Sequence, residues 1–228
     1  MKRFAAVVLT VLLFLLPALA VGPVIDKAHK ASIIIAQHVL SLPDGDCSAT
    51  VIGPQAILTA THCEAASDDL FVGGLKNPLK IVGRIRDDND HTIFLVDGFR
   101  FANFVPVALK DTLEASEDVF TWGAPGELDN IFQRGYVAGR SRDTSMAAQF
   151  GEGNPDLVLF SFQAYPGTSG SGIFNESGAL IAVVSQCYVN QTKREDITVS
   201  LAFAGAYALA FTQADIDKAV AFSTEAKK

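Results

Sequence analysis

Three cysteines in 228 residues, with no C-x-x-C pair and no H-E-x-x-H motif, leave little from which to build a zinc site. No run of five or more basic residues occurs, which argues against a nucleic-acid partner, because phosphate binding needs clustered Lys and Arg. There is no internal repeat and no low-complexity tract. The single tryptophan, against sixteen phenylalanines, fits a β-rich core. No lysine follows the glycine-rich stretch AYPGTSGSGIF (residues 164–174), so it is not a P-loop, whose lysine must reach the phosphates. No histidine follows Ser169 either: His29, His38, His62 and His91 all precede it. That order excludes a nucleophile elbow of the Ser, acid, His type, which would have no base here.

What is present begins with a leader. Lys2 and Arg3 precede an apolar run of 13 residues, Phe4 to Leu16, interrupted only by Thr10, and Pro17 precedes Ala18-Leu19-Ala20. This reads as a secretory signal peptide over residues 1–20. The rival is a retained membrane anchor, but the run is shorter than the ~20 residues that span a bilayer. Cleavage after Ala20 removes two positive charges, so the formal charge of −7 becomes −9, which suits a soluble surface. The expected location is secreted or extracytoplasmic, as a monomer without stable membrane association. An export route permits disulfides, and three cysteines suggest one pair and one leftover.

Short apolar runs separated by turn residues predict strands over 32–42, 49–52, 56–59, 69–72, 80–85, 92–96 and 105–109, then over 118–122, 132–139, 157–162, 172–174, 180–185 and 197–203. The polar segment 110–117 divides them. One convincing helix comes last, with Thr212 as cap, Asp215 as its acidic partner, and Ile216, Ala219, Val220 and Phe222 on the apolar face. Residues 202–211 read as a closing strand that runs into it.

A serine hydroxyl is a weak nucleophile at neutral pH and needs a base, itself oriented by a carboxylate. His62, directly after a buried strand and beside Cys63, is the best base. A Cys47–Cys63 bridge would close a loop around it, worth on the order of 3 kcal/mol in the chain-entropy account, and would fix where the imidazole points. Asp87, Asp88, Asp90 and Asp97 are the candidate acids.

The blocks CSATVIGPQAILTATHC, DDNDHTIFLV and GTSGSGIFNESGALIAVVS resemble, in this order, the catalytic blocks of the trypsin-like (chymotrypsin-fold) serine peptidases. The ending ALAFTQADIDKAV is similar to the last strand and closing helix common in bacterial members. The spacings, 28 residues from His62 to Asp90 and 79 from there to Ser169, also resemble short bacterial or viral members. The resemblance runs from about residue 30 to the end. It implies an all-β fold of two packed antiparallel barrels, about 30–110 and 118–211, with a C-terminal helix over about 213–224. It also implies a His62, Asp90, Ser169 triad and an oxyanion hole from the amides of Gly167 and Ser169. Asp90 is chosen because it directly precedes a buried strand, with Asp87 and Asp88 in an exposed turn and Asp97 in a later one.

The same resemblance puts Gln163 at the base of the S1 pocket, with Ser185, Gln186 and Cys187 along its edge. A neutral amide at the base argues against a Lys or Arg preference. Animal members carry an acid before the nucleophile that pairs with a new N-terminus; Thr168 stands there, so no zymogen switch of that kind is expected. His29 and His38 read as surface or strand residues, and His91 as a spare packed outside the barrel. Asn175-Glu176-Ser177 and Asn190-Gln191-Thr192 match the glycosylation sequon, which matters only in a eukaryotic secretory route. The expectation is a secreted serine endopeptidase acting on polypeptides, with no metal or organic cofactor. Its rivals are a catalytically silent binding protein on the same fold and a membrane-anchored viral or phage processing peptidase.

Overall fold

The computed structural model describes residues 22–36, 47–64, 67–110, 113–125, 128, 130–141, 157–194 and 197–224. The expected signal peptide, His38 and the end of the first expected strand lie outside the described residues.

The first element among the described residues is a helix, α1, over residues 22–31, where the sequence reading has none. Its signal is nonetheless present. Val24, Ile25, Ala28 and Ala31 recur at helical spacing. Ala28 and Ala31 are fully buried, and Val24 and Ile25 pack on the same core. His29 is neither a strand residue nor a free surface group, because its ring stacks on Trp122 with centroids 4.2 Å apart.

Six strands follow: β1 (Ser32–Ala36), β2 (Cys47–Gly53), β3 (Ala56–Ala60), β4 (Asp69–Val72), β5 (Leu79–Arg86) and β6 (His91–Asp97). They close into a barrel in the order β1-β2-β3-β6-β5-β4. β3 and β6 are buried along nearly their whole length because both of their faces are covered. Successive side chains of a strand point to opposite faces. Phe94 and Val96 therefore join Ile57 inside the barrel, while Ile93 and Leu95 join Leu58 on the side that meets the second half.

That half contains β7 (Asp118–Gly123), β8 (Ile131–Ser141), β9 (Leu157–Phe160), β10 (Gly172–Asn175), β11 (Leu180–Val183), β12 (Gln186–Arg194) and β13 (Ile197–Ala206). They form a seven-stranded antiparallel sheet in the order β11-β10-β7-β8-β9-β13-β12. Its outermost strands, β11 and β12, are consecutive in the chain and separated only by Val184 and Ser185. The sheet must therefore curl until its edges nearly meet, and the Ser185 amide marks the join by donating to the Gly205 carbonyl (2.9 Å). The result is the expected trypsin-like pair of barrels. Val119, Phe160, Phe162, Ile173 and Ile181 fill its interior.

Four expectations need correction. Residues 105–109 form no strand; Val107 makes only an isolated parallel bridge to Leu180. The polar stretch Gln186–Arg194 is a strand, because β13 pairs with it residue for residue despite its composition. The closing strand stops at Ala206, and residues 207–212 run irregularly to the last helix, α2 (Gln213–Ala221). α2 begins with the expected capping box of Thr212 and Asp215, and buries Ile216 and Ala219. Val220 is exposed rather than part of the apolar face.

An Ala28→Asp substitution puts a carboxylate at a fully buried position of α1. It is expected to cost about 2–3 kcal/mol and to lower Tm by roughly 5–10 °C. It should also change the emission of Trp122, the chain's single tryptophan. Unchanged emission and Tm would count against a docked α1.

Candidate active site

The β3–β6 ladder brings two of the expected residues together. Ala60 lies opposite His91, so the chain leaving β3 meets the chain entering β6. The Thr61 amide donates to the Asp90 carbonyl (2.9 Å), and His62 follows in a 3-10 turn over Thr61–Cys63. Asp90 then holds His62 at two points. Its Oδ1 accepts from the His62 backbone amide (3.0 Å), and its Oδ2 pairs with Nδ1 of the ring (2.8 Å). A carboxylate only accepts, so the ring proton sits on Nδ1 and the lone pair on Nε2 faces away from Asp90. The His62 side chain is 45% exposed and that of Asp90 26%, so the pair is open to solvent on one side.

The turn carrying His62 is fastened on its far side as well. Cys63 is bonded to Cys47 at the start of β2, as expected. Glu64, the next residue, accepts from both Nε and Nη2 of Arg86 at the end of β5. Burial pushes the Glu64 carboxyl up, but the hydrogen bonds from Arg86 and Thr92 and the charges of Arg86 and Arg84 outweigh this and hold it below the usual range.

Ser169 lies on the loop between β9 and β10, and that loop is built on two glycines with positive φ. Tyr165-Pro166-Gly167-Thr168 is a turn closed by the Thr168 amide donating to the Tyr165 carbonyl (3.0 Å). Gly167 has φ +96°, and proline followed by such a glycine is the signature of a type II turn. The amides of Gly167 and Ser169, on either side of Thr168, have no acceptor among the described residues. Gly170 has φ +84°, and a Cβ there would lie 1.9 Å from the Ser48 carbonyl oxygen and 2.2 Å from Thr59 Oγ1.

Ser48, which sequence reasoning passed over, joins this loop to the first barrel. Its amide donates to the Ser169 carbonyl (2.7 Å), and its hydroxyl donates to the Gly167 carbonyl (2.8 Å) while accepting from the Ala124 amide (3.1 Å). Ser48 is also the neighbour of Cys47. A continuous path therefore runs from His62 through Cys63, the disulfide, Cys47 and Ser48 to Ser169. No hydrogen bond joins the Ser169 hydroxyl to His62 among the described residues. Catalytic hydrogen bonds are often loose before substrate arrives.

The residues expected around S1 are spread over two segments. Gln163 is exposed, and its side-chain oxygen accepts from the Tyr165 hydroxyl (2.7 Å). Ser185 is buried, with its hydroxyl turned toward the Val183 carbonyl (3.4 Å). Gln186 donates to the Tyr207 hydroxyl (3.4 Å), and Cys187 is the free, exposed thiol.

One reading of the acidic loop fails: Asp88 is exposed as expected, but the Asp87 side chain is only 1% exposed. His91 shares the outward face of β6 with Ile93 and Leu95, as expected, and is fully buried there. Asp87 and His91 pair with each other, with Asp87 Oδ2 accepting from His91 Nδ1 at 2.7 Å. Burial pushes the Asp87 carboxyl up, but the hydrogen bond and charge of His91 and the amides of Ala210 and Asn89 prevail and keep it below the usual range.

The trypsin-like peptidase domain family matches residues 47–183, a span that includes His62, Asp90 and Ser169. The chain belongs to that family. Among solved structures, this trypsin-like domain resembles the active form of the Rv3671c protease from M. tuberculosis (TM-score 0.63, 18% identity, 92% of this chain and 89% of that one). It also resembles a serine endoprotease from Yersinia pestis (TM-score 0.60, 15% identity, 86% of this chain and 65% of that one). A third is the HtrA-type protease AlgW with a tripeptide (TM-score 0.61, 15% identity, 87% of this chain and 62% of that one). At these identities the likeness is one of fold. No curated protein matches the sequence.

Gly170→Ala in the trypsin-like domain adds overpacking against backbone atoms, about 1–3 kcal/mol, to about 1 kcal/mol or more of backbone strain. A marked drop in Tm is expected, and a variant of wild-type Tm would show that the loop does not sit on Ser48. Asp87, its carboxyl lowered in the folded chain, contributes stability that is fully present above the ordinary aspartate range and is lost as pH falls below that range through the lowered folded value. Asp87→Asn should therefore be less stable than wild type at pH 7, yet lose less stability between about pH 4 and 2. Parallel acid-denaturation curves would refute this role for Asp87.

Proposed function

We propose that the chain is a secreted serine endopeptidase in which His62, Asp90 and Ser169 form the catalytic triad. The supporting observation is the two-point hold of Asp90 on His62, with the Ser169 loop clamped to the same corner by Ser48. Ser169 Oγ attacks the peptide carbonyl and gives its proton to His62 Nε2. Asp90 keeps the ring in the tautomer that leaves Nε2 free and stabilises the imidazolium as it forms. The carbonyl oxygen, now negative, enters the space before the Gly167 and Ser169 amides, which have no other acceptor among the described residues. Removing one such donor typically costs about 10² to 10³ in rate. His62 returns the proton to the leaving amine, and water, deprotonated in turn by His62, clears the acyl-enzyme.

The neutral Gln163 side chain at the S1 base gives no carboxylate for a P1 Lys or Arg, so an uncharged P1 residue is preferred. Thr168 donates within its own turn, so the loop needs no new N-terminus to hold its shape. The exported chain begins near residue 21, after removal of the leader.

A fluorophosphonate probe is expected to label Ser169 in the wild-type chain and not in Ser169→Ala. Asp90→Asn should lower kcat about 10⁴-fold with little change in KM. Absence of labelling in folded wild type would point instead to a binding protein on a peptidase fold.

A further inference from the structure

The loop between β5 and β6 holds a second His–Asp pair that the mechanism does not use. We propose that Asp87 and His91 are positioning residues, which lock the loop so that Asp90 is presented to His62; this rests on the triad reading above.

The φ of Asp90 is +67°, a left-handed conformation that a side chain disfavours, so the surroundings must impose it. Asp90 is bracketed by its neighbours. The Asp87 amide donates to the His91 carbonyl (3.1 Å). The Asp87 carboxylate accepts four N–H groups in return. Oδ1 takes the amides of Asn89 (2.9 Å) and His91 (3.1 Å). Oδ2 takes His91 Nδ1 (2.7 Å) and the Ala210 amide (2.8 Å). The ends of the loop are thus tied across the turn in which Asp90 sits, and only a carboxylate supplies an acceptor to all four donors.

Two of the ties also reach outward. Ala210 donates to Asp87, and the Asn89 side chain donates to the Ala208 carbonyl (3.0 Å). Both partners lie in the irregular segment that leads from β13 of the second barrel to α2. The acid is therefore located relative to the second barrel and not only to its own ladder.

His91 is built for this one bond. It is fully buried, and its Nε2 has no partner among the described residues. Its nearest ring, Phe211, lies 6.3 Å away. A buried, unsatisfied nitrogen is costly, and what the ring gains in exchange is the donor at Nδ1. Its bonds go to Asp87 and not to His62 or Ser169, so it acts through Asp90's position and not on the substrate.

The test is steady-state kinetics on a peptide substrate with His91→Leu, His91→Asn and Asn89→Ala, alongside Tm. In His91→Asn the amide NH₂ can stand where Nδ1–H stood; in His91→Leu the donor is gone. His91→Leu is expected to lower kcat on the order of 10- to 100-fold with KM nearly unchanged, the scale of a small misplacement of a catalytic group. His91→Asn should recover most of that loss, and Asn89→Ala should lower kcat several-fold at nearly wild-type Tm. Wild-type kcat in folded His91→Leu, or His91→Asn no better than His91→Leu, overturns the inference. If His91→Leu does not fold, Asn89→Ala decides: wild-type kcat there overturns it, and a loss in kcat alone supports it. A wild-type chain that hydrolyses no peptide overturns the triad reading and this inference together. An active, probe-labelled wild type with unaffected variants overturns this inference only.

Discussion

The hydrogen bond from the Ser48 amide to the Ser169 carbonyl is the joint between the two halves at the candidate site. Ser48 stands next to the disulfide that closes the His62 loop, so one short stretch of β2 locates both the imidazole turn and the serine turn. Gly170 is required at the contact, since any side chain there would overlap Ser48 and Thr59. The arrangement of the site thus depends on close backbone approach between two barrels, which in turn depends on the apolar layer between them. Leu58, Ile93 and Leu95 face that layer from the first barrel, and Phe120, Phe174 and Leu180 from the second.

The groups proposed to react sit on turns, and each turn is fixed by hydrogen bonds made elsewhere. Gly167 and Gly170 take positive φ without steric cost. Asp90 takes it at a cost, and its loop is correspondingly the most densely bonded, with Asp87 buried at its centre. Strain of this kind persists only where the surroundings over-determine it. The Asp87 carboxylate is such a centre because each of its oxygens serves two donors, so one side chain does the work of a short stretch of ladder.

The distribution of charge follows the same division. The pair at His62 and Asp90 is partly exposed and open to a substrate, whereas the pair at His91 and Asp87 is sealed. Two His–Asp pairs at the same end of the β3–β6 ladder thus differ sharply in burial.

Much of this was legible in the residues. Apolar runs with turn residues between them located most of the strands, the cysteine spacing marked the disulfide, the order of His, Asp and Ser pointed to the candidate site, and the Thr212–Asp215 capping box marked α2. These features are local, or depend on chain order, and a linear string carries them in full. The apolar runs of β3 and β6 could not say that both faces would be buried, since such a run reads the same for either covering. The polar β12 was hidden because its partner strand, not its own composition, makes it a strand. Only the folded chain decided that Asp87 would be buried while Asp88 stayed in water, and that Ser48 would meet Ser169 from 121 positions away. Those outcomes depend on which donors arrive from distant segments, such as the Ala210 amide at Asp87, and no window of sequence contains both partners.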